Sequence, residues 1–319
     1  MHWKAKAVLR NVLARLPHTL SHAAYYQTQR RFGGLRRVDP KSRLRAAAET
    51  WRRLANAGAD PVGKTFFEIG TGRMVTVPLA YWLMGAERTV TVDLNRYLKP
   101  ELVRESLQRI AQERDAVETI FGGLVDPGRL DRVSELAPAP AFDCEAVLRE
   151  IGVEYHAPGD AARTGLPDAS IDFHTSFTVL EHIPPAVLAA IFAEATRVLK
   201  PGGLLVHGVD YSDHFSHSDP RITAVNFLRY SGRAWDRWSG NRYMYMNRLR
   251  HADYLRILRG AGHELLDQSA VTDQRSLALL ESGGLPLSEP FRGLPAEELA
   301  KTSGWFVATR ATQARTAAA

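Results

Sequence analysis

The sequence predicts an α/β fold in which seven strands form a mostly parallel sheet, helices cover both faces, and the last strand runs antiparallel to the others. Three features of the chain point to it. Short apolar runs alternate with longer stretches of helical period from residue 41 to residue 310, the order that builds a parallel sheet through crossover helices. The first run leads into an acid and two glycines, at residues 66–73 (Phe-Phe-Glu-Ile-Gly-Thr-Gly-Arg). The second ends in another acid, Asp93, twenty-one residues past Gly72. A glycine loop after one strand and a carboxylate after the next suit an adenosine cofactor lying across the carboxyl edge of the sheet, with its ribose hydroxyls at the acid.

Along the chain, helices are expected at 41–57, 74–85, 99–116, 144–151, 185–199 and 250–261. Strands are expected at 65–69, 88–93, 152–156, 171–177, 203–209, 263–271 and 304–310, the last two as an antiparallel hairpin. Gly70 and Gly72 let the backbone turn tightly from strand to helix and approach a ligand that a side chain would hold off. The position of a third glycine in the dinucleotide pattern is taken by Val75, and Glu68 would repel phosphate while attracting a cationic group. A pyrophosphate is therefore the poorer ligand, which argues against a nicotinamide-dependent oxidoreductase, the main alternative enzyme class.

Three later segments complete a family pattern. Residues 159–161 (Gly-Asp-Ala) precede Leu-Pro-Asp-Ala-Ser-Ile-Asp-Phe at 166–173. Residues 176–183 read Ser-Phe-Thr-Val-Leu-Glu-His-Ile, and 197–206 read Arg-Val-Leu-Lys-Pro-Gly-Gly-Leu-Leu-Val. With the first glycine loop, and in this order and spacing, they resemble the class I S-adenosylmethionine (SAM) dependent methyltransferases, firmly over about 60–210 and more weakly to about 312. The resemblance implies a Rossmann-like sheet and SAM as cofactor. By implication Glu68, Gly70 and Gly72 line its methionine end, Asp93 accepts from the ribose, and Leu94 packs on the adenine. Asp160 faces the adenine amino group with Ala161 beside it, and Phe177 approaches from the end of the fourth strand. The intact acid-and-glycine set also argues against a non-catalytic SAM-binding protein.

Composition bounds the rest. A chain of 319 residues, 45% hydrophobic and 24% charged, can bury a full core. No apolar stretch approaches the roughly 20 residues a membrane span needs. Cys144 is the single cysteine, so neither an intramolecular disulfide nor a cysteine zinc cluster is available, and a cytoplasmic location is the default. The net charge of +6 is concentrated at one end: residues 1–45 hold eleven Lys and Arg against Asp39 alone. In that arm, assigned to residues 1–58, Leu9, Val12, Leu13 and Leu16 fall at helical spacing. Either the stripe packs on the catalytic domain, or it lies on an anionic membrane surface at the inner face. Nucleic acid is the least favoured partner.

The catalytic domain is assigned to 59–312 and the tail, 313–319, to disorder. Insertions at about 96–151 and 211–249 exceed what the sheet requires, and long insertions tend to carry function. The second follows the fifth strand and mixes Trp235, Trp238, Tyr230, Tyr243 and Tyr245 with Arg, Asn and His, a composition suited to a sugar, to other small molecules, to stacked nucleobases, or to packing. Its Asp-His-Phe-Ser-His run at 213–217 resembles bacterial methyltransferases associated with cell-surface glycans. A hydroxyl acceptor needs a base; the candidates are His182, Asp210 and His214, with His217 behind them. His174, inside a buried strand, reads as structural. Asp210, His214, His217 and Asp219 have no spacing typical of a metal site, and no metal is assigned.

Overall fold

The structure, a computed structural model, describes residues 2–137 and 142–311. The rest of the proline-rich break after Ala137, residue 312 and the tail expected at 313–319 lie outside the described residues. The strands are β1 (Thr65–Ile69), β2 (Arg88–Val92), β3 (Val153–His156), β4 (Ile171–Phe177), β5 (Leu199–Asp210), β6 (His263–Thr272) and β7 (Lys301–Arg310). They form one sheet in the order β3-β2-β1-β4-β5-β7-β6. Every pairing is parallel except those of β7, which is antiparallel to both β5 and β6. The expected fold class is therefore the observed one. The chain moves outward from β1 in one direction to β3 and in the other to β4, so a crevice opens between those halves at the carboxyl ends of the strands.

The helices are α1 (Trp3–Arg15), α2 (His18–Phe32), α3 (Lys41–Asn56), α4 (Thr76–Leu83), α5 (Pro100–Gln112), α6 (Arg114–Phe121), α7 (Pro127–Leu136), α8 (Cys144–Glu150), α9 (Pro185–Val198), α10 (Gly232–Ser239), α11 (His251–Gly260), α12 (Gln274–Glu281) and α13 (Ala296–Leu299). Successive residues of a strand serve opposite faces. Phe66 joins Leu44, Trp51, Tyr81, Leu107 and Phe173 in one core. Phe67 joins Phe192, Leu205, Tyr254, Leu258 and Phe306 in the other. Both faces being buried, Phe66 and Phe67 in β1 and Leu204, Leu205 and Val206 in β5 are consecutive apolar residues rather than alternating ones.

Two expectations are corrected. The helix expected at 99–116 is two helices, α5 and α6, which break at Glu113, where the backbone leaves helical angles and the carboxylate meets Lys41 and Arg109. Strand β5 starts at Leu199 rather than 203, running through Pro201-Gly202-Gly203 with a register shift opposite Ile171 and Phe173. Gly203 is required there, because a Cβ would stand 2.9 Å from the Asp172 carbonyl oxygen.

The structure also bears on the arm. Of the two alternatives for its stripe, packing on the catalytic domain is not the one observed: Leu9, Val12 and Leu16 are 45%, 55% and 39% exposed. Helix α1 is anchored by Trp3 and Ala7, which join Phe215, Phe227, Trp235, Met244 and Phe291 in a third core. A large ring at the helix start finds an aromatic nest, and this burial outweighs what the smaller Leu and Val side chains offer. The arm and the 211–249 insertion thus form one cap over the carboxyl edge.

Candidate active site

The cofactor side is built from the loops after β1, β2 and β3. Glu68 lies in β1 between Thr91 and Thr175 of the adjacent strands. Its carboxyl is buried, and Thr91 Oγ1 donates to Oε2 at 3.0 Å. Burial pushes its pKa up to about 8, with the Thr91 hydrogen bond and the positive charge of Arg43 on α3 acting against that. Gly70 (φ 87°) has no room for a side chain, since a Cβ would sit 2.4 Å from Val179 Cγ2. Gly72 (φ 68°) faces open space, with nothing within 4 Å of the same position.

The Gly72 N–H donates to Asp93 Oδ2 at 2.9 Å, which ties the first loop to the second. Burial raises the Asp93 carboxyl, opposed by hydrogen bonds from Gly72 and Asn95. The Gly159 N–H donates to the Asp93 carbonyl at 2.9 Å and draws the third loop alongside. There Asp160 is exposed and accepts from the Ala162 N–H at 2.8 Å, above the buried Ala161. Leu94, 69% exposed, leaves an apolar surface beside the two acids. Open space over Gly72, the Asp93 and Asp160 carboxylates, and an uncovered leucine between them fit SAM. Helix α2 roofs this edge: Arg73 lies under Tyr25, Tyr26 and Tyr97 with ring centroids 5.4–5.7 Å away.

The other side of the crevice belongs to β4, β5 and the cap. Asp210 ends β5, and burial would raise its carboxyl, but His214 and Ser212 reverse this and hold it below the usual range. The Ser212 hydroxyl donates to Asp210 Oδ1 at 2.6 Å, while His217 Nε2 lies 2.9 Å from the same hydroxyl oxygen. His214 Nε2 is 3.2 Å from Asp210 Oδ2. The His182 and His214 rings meet edge to face at 5.1 Å, so the three expected bases Asp210, His214 and His182 converge. Phe177 is stacked on Trp305 at 5.6 Å and faces a cavity of about 440 Å³, which Asp210, Ser212 and His217 also line. Thr178 beside it holds φ 52°, a strained backbone for a β-branched residue, of the kind that gathers at functional sites.

Asp219 stands apart, contrary to a cluster with Asp210: its carboxylate takes the Trp3 N–H at 2.8 Å and pairs with Arg221. His174 is fully buried beside His207, 3.3 Å away, and burial lowers its pKa to about 3. Trp235, counted in the sequence among sugar-binding aromatics, is buried beside Phe227 in the cap's core. Three residues of this edge escaped the sequence reading. Glu181 was quoted only as the neighbour of His182, although an acid closing an apolar run repeats the Glu68 signal. Arg43 looked like one more charge in a basic arm, and Trp305 like strand filling.

The sheet order and the acid-glycine-acid loops define a doubly wound, nucleoside-binding α/β protein. A family model described as "Methyltransferase domain" matches residues 125–207, a stretch that holds β3, β4 and most of β5. Strand order, loops and domain match together support a class I SAM-dependent methyltransferase domain with SAM as its cofactor. No curated protein matches the chain. Among solved structures, it is similar to a SAM-dependent methyltransferase from Mesorhizobium loti (16% identity, TM-score 0.42, covering 84% of this chain and 100% of that one). It is also similar to a SAM-dependent methyltransferase from Methanosarcina mazei (14%, TM-score 0.43, 82% and 98%) and to a protein from Pyrococcus horikoshii (14%, TM-score 0.46, 83% and 90%).

Proposed function

We propose that this protein transfers the methyl group of SAM to a hydroxyl of a sugar, glycolipid or other small molecule held in the cavity beside Asp210. SAM, when bound, supplies an electrophilic methyl group on a sulfonium. The chain's part is to align the acceptor for in-line attack, exclude water, and take the hydroxyl proton. The observation that carries this reading is the Asp210–Ser212–His217 array on the cavity wall. Because the Ser212 hydroxyl donates to Asp210, its oxygen accepts from His217 Nε2–H, which leaves Nδ1 of that ring with a lone pair for a proton. Burial lowers the His217 pKa, so the ring is neutral at physiological pH and competent as a base. The stacked Phe177 and Trp305 rings supply an apolar face next to Ser212, Ser216 and Asp210, a combination that suits the face and edge of a sugar.

A lipid-linked acceptor is supported by the outer face of α1. Val8, Leu9, Val12 and Leu16 form an exposed stripe, and Lys4 and Arg15 border it at helical spacing. Such a face suits peripheral contact with an anionic bilayer, and among the described residues no helix is long and apolar enough to cross one.

The test is transfer of a labelled methyl group from SAM into fractionated host lysate, with Asp93→Ala as control. Label in the lipid or polysaccharide fraction that disappears with the variant is the expected result. Label confined to protein or nucleic acid would overturn the hydroxyl-sugar reading, and no transfer by protein that binds SAM would make it a binding protein only.

A further inference from the structure

Behind the cavity wall lies a second group of side chains that the transfer described above does not use. Glu181 sits in a short 3-10 turn (Leu180–His182) just past β4 and is 2% exposed. Neither of its carboxylate oxygens has a hydrogen-bond partner among the described residues. A buried carboxylate left so is costly unless a cation or a proton meets it. The turn is not free to swing out. The Asn247 side-chain amide donates to the Leu180 and Ile183 carbonyls at 2.8 and 2.9 Å, and its backbone N–H donates to the Glu181 carbonyl at 2.9 Å.

The two histidines alongside are prepared as ligands rather than as donors. His182 Nδ1 lies 2.7 Å from the Tyr245 carbonyl, which can only accept, so Nδ1 carries the hydrogen and Nε2 keeps its lone pair. A backbone carbonyl on the far ring nitrogen is the usual support of a metal-bound histidine. His214 Nε2 is buried without a hydrogen-bond partner, although Asp210 Oδ2 is only 3.2 Å away. That separation is close to the roughly 3.0–3.4 Å between neighbouring ligands when each stands about 2.1 Å from one metal ion. One ligand atom each from Glu181, His182 and His214 lies within 4.8 Å of the others, so small side-chain rotations suffice to close the set.

We propose that Glu181, His182 and His214 bind one divalent transition-metal cation, with Asp210 bordering the site on the cavity side. The Glu181 carboxylate offsets part of the double positive charge with Asp210 close by, and the two neutral imidazoles favour manganese, iron, cobalt or zinc over magnesium or calcium. The site adjoins the cavity through Asp210, so a hydroxyl there could enter the metal's open position and become more acidic. This role, unlike the binding itself, rests on the hydroxyl reading above. In it the acceptor O–H passes its proton to His217, the oxygen forms a bond to the methyl carbon, and the C–S bond breaks to leave a neutral thioether.

Chelator-treated full-length protein titrated with Mn²⁺ alone, followed by electron paramagnetic resonance of the free ion, tests the site. One Mn²⁺ per chain is expected, with affinity about tenfold or more weaker in Glu181→Gln and in His214→Ala. SAM binding by calorimetry checks that each variant is folded, and His182→Asn replaces either one that is not. No stoichiometric uptake of Mn²⁺, Co²⁺ or Zn²⁺ by protein that binds SAM, or equal uptake by the variants, overturns the proposal. Metal uptake without methyl transfer to any hydroxyl compound would support the metal site while overturning the reading in "Proposed function".

Discussion

The two sides of the crevice are built differently. On the cofactor side, Glu68 lies near the end of β1 while Gly72, Asp93 and Asp160 sit on the βα loops of three neighbouring strands, and the bonds that hold those loops, Gly72 to Asp93 and Gly159 to Asp93, run between them. On the acceptor side, the cap joins the two ends of a long chain separation. The Trp3 N–H reaches Asp219 across 216 residues, and Lys6 Nζ reaches Ser218 across 212. The buried acids follow the same division: Glu68 accepts from Thr91, whereas Glu181 accepts from nothing among the described residues. A cofactor shared by a whole family can be met by loops that the sheet fixes automatically. An acceptor peculiar to one protein is met by a surface that must be assembled from distant parts.

The largest expected effect separates these sides by stability. Trp3→Ala removes a buried ring from the cap's core and should cost about 3–5 kcal/mol, seen as faster hydrogen exchange across 215–245, while the β1–β3 loops keep their protection. Equal loosening of both sides would show that they fold as one unit and break the comparison. On the opposite side, Asp93→Ala should weaken SAM binding by about 1–3 kcal/mol in calorimetry and leave cap protection unchanged. Unaltered affinity would remove Asp93 from the cofactor site.

Glu68 sharpens the contrast through pH. The folded protein keeps this carboxyl protonated up to about pH 8, while the unfolded chain gives the proton up near the ordinary 4.5. Between those values the folded state binds more protons, so the contribution is fully present below pH 4.5 and is lost as pH rises toward 8. The limiting slope for one group is about 1.4 kcal/mol per pH unit. Urea unfolding of SAM-free protein at pH 5, 6.5 and 8 should show Glu68→Gln gaining on the wild type as pH rises. Parallel curves would mean that another group satisfies Glu68. The smallest effect is expected where the arm crosses to the cofactor side: Arg30 pairs with Glu105 at 2.6 Å, both partly exposed, and Arg30→Ala should cost less than about 1 kcal/mol in thermal melts. A larger loss would show that α2 is latched by this pair rather than by its tyrosines.

Much of the cofactor side was legible because the signals are local. Two glycines after an apolar run, an acid closing the next run, and a Gly-Asp pair after the third each specify a loop within a few residues of the strand that presents it. The facing of the α1 stripe was left undecided for the opposite reason. Helical period shows that Leu9, Val12 and Leu16 share a face, but what that face meets depends on where Trp3 docks, and its aromatic partners lie more than two hundred residues away. Likewise Trp235 has the chemistry of a sugar platform and the burial of a core residue.

By itself, then, the sequence determined the sheet, its order of elements, the glycine loops and the carboxylates at their ends, because strand period, turn chemistry and short spacings act over one or two elements at a time. Only the tertiary structure decided that arm and insertion make a single cap, that Phe177 stacks on Trp305 at the cavity, and that Glu181, His182 and His214 face one another. Those contacts are chosen by competition among distant surfaces for burial and for hydrogen-bond partners, and no local pattern in the chain records which of them wins.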